Sequence, residues 1–142
     1  MPVRKASAQW SGNLMEGKGV LNTETGVLKN TAYNAKSRFE TGNQTNPEEI
    51  LGAAHAGCFS MALANSLAKA GFKVNSIETE DFVHLEKTDD GFTITRIDIN
   101  TVAEIEGIDD STFQKHAADT KKGCPVSKAL KSVEMILDAK LK

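Results

Sequence analysis

One run governs what this chain can fold into. Asn46-Pro47-Glu48-Glu49 opens it, small and apolar residues fill it, and Gly71 closes it. Asn46 suits an N-cap, Pro47 the first helical position, and Glu49 the acid position of a capping box. A helix to about Ala70 is predicted, roughly 24 residues or 36 Å long at 1.5 Å per residue, with Gly71 as its stop. Gly52, Ala53, Ala54, Ala56, Gly57, Ala62 and Ala64 keep it thin, while Ile50, Leu51, Phe59, Met61, Leu63 and Leu67 point in several directions. A helix apolar nearly all round is a buried one. It belongs at the centre of the fold or in a subunit interface.

The rest of the chain is arranged around that helix. Strands are predicted over 3–10, 17–21 and 31–39, with turn chemistry at Thr23-Glu24-Thr25-Gly26. Two more follow over 75–87 and 92–102, joined by Thr88-Asp89-Asp90-Gly91. The second alternates cleanly apart from a slip near Arg96. A helix over 109–122 stops at Gly123, a short helix starts at Cys124-Pro125, and a final strand covers 133–141. Strands clustered rather than alternating strictly with helices predict an α+β fold. The 142 residues fit one domain, 1–142.

Composition narrows the function classes. The net charge is −2, from 17 lysines and arginines against 19 acids. These are scattered along the chain, so neither nucleic acid nor an anionic membrane is called for as a partner. No stretch reads as approaching the roughly 18 apolar residues of a membrane helix, and the N-terminus lacks the apolar core of a secretory signal. A cytoplasmic location is expected. Only two cysteines occur, Cys58 and Cys124. In a reducing compartment such a pair is catalytic, redox-sensing or simply buried.

Cys58 lies too far into the long helix for the helix dipole to help it. A thiol in apolar surroundings has a raised pKa and is inert. It is either a small core residue or a nucleophile to which a cation must be brought. The arginines are Arg4, Arg38 and Arg96. Arg38, at the end of the strand before the helix, is best placed, and a guanidinium stays charged when desolvated. At about 100° per residue, Glu49 points away from Cys58, whereas Glu48 is only about 80° off its direction. Glu49 is therefore the cap and Glu48 the candidate site residue, unless both acids only favour the positive helix end. Glu48 is still about 15 Å of helix from Cys58, so a glutamate that orients an arginine beside this thiol would come from a second subunit.

Cys124, between Gly123 and Pro125, occupies an N-cap. It is either a tolerated cap residue or a mobile thiol of the kind that resolves a sulfenic acid. His55 shares a helix face with Cys58 and could be its base, but no acid marks a third member. His84 and His116 look like surface or packing residues. No Cys-x-x-Cys or His-x-x-x-His spacing occurs, which argues against zinc.

The run Thr45 to Leu63, with Asn46-Pro47-Glu48 upstream of Gly57-Cys58-Phe59, closely resembles the osmotically inducible protein C branch of the OsmC/Ohr family. Lys122-Gly123-Cys124-Pro125-Val126-Ser127, Gly17-Lys18-Gly19 and Thr25-Gly26-Val27-Leu28 are similar too, so the resemblance covers essentially the whole chain. It implies an OsmC-like intertwined homodimer with a long buried central helix and antiparallel-rich sheets. It implies a thiol peroxidase that reduces organic hydroperoxides, with hydrogen peroxide a poorer substrate. Cys58 matches the attacking cysteine, Cys124 the resolving one, Arg38 the activating arginine and Glu48 the glutamate that holds it. No metal, flavin or haem cofactor is implied. An external dithiol would reset the disulfide, a role lipoyl groups serve in relatives. Apolar residues such as Phe39, Phe59, Met61 and Leu63 would favour an apolar peroxide.

Overall fold

The turn residues read from the sequence organise the first sheet. In a computed structural model that describes residues 1–142, β1 (Ala6–Ser11) pairs antiparallel with β2 (Lys18–Thr23), and β2 with β3 (Thr31–Tyr33). Gly19 is the register partner of both Trp10 and Tyr33. A Cβ there would collide with both rings, and the rings meet each other with centroids 5.3 Å apart. The glycine thus lets an aromatic pair close over the middle strand.

The strand expected over 31–39 is only partly realised. It ends at Tyr33 and gives way to α1 (Ala35–Phe39). Asn34 is the reason: its side chain accepts the Ser37 backbone N–H at 2.9 Å and caps a turn of helix. Arg38 therefore sits on a short helix rather than a strand end.

The long helix forms as its start and stop signals dictate. α2 spans Pro47–Lys69. Asn46 Oδ1 accepts the Glu49 N–H at 2.8 Å, and Gly71 takes φ +90° beyond the last turn. The chain forms two compact units, Met1–Ile50 and Leu51–Lys142. The first holds β1–β3, α1 and the opening turn of α2.

In the second unit, β4 (Lys73–Thr88) and β5 (Gly91–Glu106) make a long antiparallel hairpin, and β6 (Glu134–Leu141) joins β5 in parallel, giving the order β4-β5-β6. The slip near Arg96 is a β-bulge: His84 faces Arg96 while Leu85 faces Ile94. α3 (Asp110–Gly123) and α4 (Pro125–Ala129) complete the unit.

One stripe of α2, with Phe59, Leu63 and Leu67 four residues apart, joins Ile97, Ile99 and Ala103 of β5 and Phe113 and Ala117 of α3 in a single core. Phe59 is fully buried, so Phe59→Ala is expected to lower stability by about 3–5 kcal/mol, read as a shift in the urea unfolding midpoint. The opposite stripe, Ala53, Ala54, Gly57 and Met61, faces outward in the single chain, with Met61 77% exposed.

By length and composition alone, α2 is long and apolar enough to cross a membrane, with mean hydropathy 1.3 in its most apolar window. This corrects the sequence expectation that no stretch approaches that size. Core helices of soluble proteins meet the same criterion.

Candidate active site

α2 carries Cys58 at its midpoint, half-buried and in contact with the core cluster. Cys124, almost fully buried, arrives from the junction of α3 and α4. The junction is tight because Cys124 ends one helix and caps the next. Its N–H donates to Thr120 O, and its Sγ accepts the Ser127 N–H at 3.4 Å. The two thiols are neighbours. Burial pushes the Cys58 thiol above its ordinary range, the Val126 backbone N–H pulls it partly back, and Cys124 beside it pushes it up again. Within this unit, then, Cys58 is held as a thiol.

In the first unit, α1 supplies Arg38 and the start of α2 supplies Glu48. Arg38 Nη2 and Nε donate to Glu48 Oε1 at 2.9 and 3.1 Å. The arginine side chain is 36% exposed and the glutamate 9%. The guanidinium also lies over the Phe39 ring, 5.4 Å from its centroid. Arg38 forms part of the wall of a pocket of about 240 Å³ whose other walls include Trp10, Leu14 and Tyr33. Glu49 gives its backbone N–H to the Asn46 cap, and its carboxylate accepts the Thr45 hydroxyl rather than closing a capping box.

The four residues singled out from the sequence thus form two pairs, Arg38 with Glu48 and Cys58 with Cys124, each within one unit. Of the apolar residues expected near a substrate, Phe59 and Leu63 are fully buried core. The apolar wall that does face a pocket belongs to Trp10, Leu14 and Tyr33.

His55 corrects a further expectation, because an acid does accompany it. Its Nδ1 bonds Asp81 Oδ2, and its Nε2 lies 2.7 Å from Ser127 Oγ. Ser127 Oγ in turn is 3.0 Å from Cys124 Sγ. Asp81 lies 26 residues and Ser127 72 residues from His55. No local spacing could reveal either, although Ser127 is legible as the third residue of the helix that Cys124 caps. The His55 and Asp81 side chains are 0% and 1% exposed and Ser127 is buried as well, so this Ser–His–Asp array presents no hydroxyl at the surface. His84 bonds Asp98 beside Arg96, and His116 bonds Ser66. No three His, Cys, Asp or Glu side chains converge as metal ligands.

Residues 40–137 match the family model described as OsmC-like protein. The chain belongs to the OsmC-like family. It is 48% identical over 139 residues to peroxiredoxin OsmC of Escherichia coli (strain K12), covering 98% of this chain and 96% of that one. It is 29% identical over 126 residues to organic hydroperoxide resistance protein OhrB of Bacillus subtilis (strain 168), covering 86% and 89%. The crystal structure of Bacillus subtilis OhrB superposes with a TM-score of 0.67 at 25% identity, over 97% of this chain and 98% of that one. An OsmC-like protein of unknown function from Vibrio cholerae has the same fold, with a TM-score of 0.76 at 15% identity over 98% and 99%. The OsmC-like match begins at residue 40, so it includes Glu48, Cys58 and Cys124, while Arg38 lies just before it.

Proposed function

We propose that this peroxidase reduces organic hydroperoxides, and hydrogen peroxide less well, by a two-cysteine cycle in the cytoplasm. The observation that carries the reading is the adjacency of Cys58 and Cys124 with no other cysteine in the chain. The Cys58 thiolate attacks the terminal peroxide oxygen. The O–O bond breaks, the alkoxide takes a proton and leaves as alcohol, and Cys58 becomes a sulfenic acid. Cys124 displaces its oxygen as water and closes a disulfide. An external dithiol, lipoyl-type in relatives, regenerates both thiols by exchange.

Burial and Cys124 hold Cys58 up as a thiol, so the cycle requires a cation. Arg38, held in a fixed direction by Glu48, supplies it and stabilises the charge developing on the leaving alkoxide. Ten helical residues separate Glu48 from Cys58, about 15 Å of rise. The arginine of one protomer accordingly serves the cysteine of a partner in a homodimer. The exposed Ala53, Ala54, Gly57 and Met61 stripe is thin enough for close approach of that partner. The apolar pocket beside Arg38 suits an organic rather than a bare peroxide.

The test is one equivalent of alkyl hydroperoxide added to the reduced protein, followed by thiol counting and intact mass. Loss of both thiols, with a mass decrease of two hydrogens, is the expected result. Two untouched thiols would leave a redox-independent binding role on the same fold.

A further inference from the structure

Burying a histidine and a carboxylate costs stability that apolar side chains would not, and the second unit does so directly behind the cysteine assigned to resolution. Asp81 Oδ1 is buried without a hydrogen-bond partner, so His55 alone answers the charge of that carboxylate through Oδ2. The Nδ1–H tautomer of His55 gives the Asp81 carboxylate its donor and sets the direction of the remaining bonds, with Nε2 as an acceptor. Ser127 Oγ–H must donate to it across 2.7 Å. With its own hydrogen committed, Ser127 Oγ accepts from the Cys124 S–H across 3.0 Å. The chain of donors runs one way, from the Cys124 thiol to the Asp81 carboxylate. The Ser127 backbone N–H also donates to that sulfur, at 3.4 Å.

We infer that Ser127, His55 and Asp81 form a proton relay that deprotonates Cys124 as it condenses with the oxidised Cys58. The inference rests on the two-cysteine cycle. Cys124 gives its proton to Ser127 Oγ, which passes its own to His55 Nε2, and Asp81 stabilises the imidazolium. The Cys124 thiolate forms the S–S bond to Cys58. The S–O bond of the sulfenic acid breaks with its electron pair on oxygen, and the hydroxide takes a proton from Ser127 Oγ, which recovers its own from His55 Nε2, and leaves as water. Cys124 is oxidised, Cys58 is reduced by the same two electrons, and the relay returns to its starting state. Ser127 touches the reacting sulfur and is catalytic. Asp81 acts through His55 and is a positioning residue.

A single-turnover experiment separates the steps. Reduced full-length protein is mixed with tert-butyl hydroperoxide and acid-quenched. Intact mass then follows Cys58 sulfenic acid and the disulfide in time, in H₂O and in D₂O. In Ser127→Ala the ratio of the disulfide-closing rate to the sulfenic-acid-forming rate should fall by roughly a hundredfold. Sulfinic Cys58 should accumulate, and the solvent isotope effect on closure should shrink. Ser127→Thr, which keeps the hydroxyl, should restore the ratio. Asp81→Asn, equal in shape, should lower it in the same direction. Wild-type ratios and isotope effects in both Ser127→Ala and Asp81→Asn would overturn the relay while leaving the two-cysteine cycle standing. A wild-type protein that forms sulfenic acid but never a disulfide would instead overturn the cycle, and the relay with it.

Discussion

Cys58→Ser is expected to reduce peroxide turnover to the rate of buffer alone, below about a thousandth of wild type. A hydroxyl in the same place cannot supply a thiolate, and the one other cysteine of the chain is Cys124. Cys124 cannot substitute, because it is almost fully buried and its sulfur is already engaged by Ser127. Cys124→Ser should behave differently. It should still consume one equivalent of alkyl hydroperoxide and then stall with Cys58 oxidised beyond the sulfenic acid. Peroxide consumption with a dithiol supplied in excess measures the first variant, and intact mass the second. Full turnover in Cys58→Ser would remove Cys58 from the nucleophile's role.

Arg38→Ala should cost about 10²–10³ in kcat/KM for an alkyl hydroperoxide, the scale of removing one group that stabilises charge at the reacting centre. The direction of its pH dependence follows from the thiol. Burial first, and Cys124 after it, raise Cys58 above its ordinary value, with only the Val126 N–H opposing them. Below its pKa the thiolate fraction climbs about tenfold per pH unit. Without the guanidinium, alkylation of Cys58 should therefore be slow at neutral pH and keep rising into the alkaline range. With it, the rate should level off at lower pH. Arg38→Lys should rescue only in part, because Arg38 uses two N–H groups on Glu48 Oε1 to fix its direction, and a lysine ammonium cannot reproduce that fork. Identical alkylation profiles for wild type and Arg38→Ala would mean that some other cation serves the thiol.

Local chemistry carried most of the fold. The Asn46 cap, Pro47 and Gly71 delimited α2 to within a residue or two, since each signal acts on its own backbone. The Thr88 to Gly91 turn gave the β4–β5 hairpin, and the broken alternation near Arg96 marked a real bulge. The reading failed where a side chain competed with the strand. Thr31 to Phe39 alternates well enough, but Asn34 bonds Ser37 and starts a helix instead.

The sequence by itself determined the element order apart from α1, the long thin helix with its Asn46 cap, and the choice of Glu48 over Glu49 as the acid that meets Arg38. Those depend on spacing along one helix or on the chemistry of one turn. Only the tertiary structure decided what surrounds His55. Asp81 comes from β4 and Ser127 from α4, brought to a helix residue by the hairpin and by the tight junction at Cys124. Contacts between side chains so distant in sequence leave no periodicity, because they depend on how whole elements pack and not on any residue's neighbours.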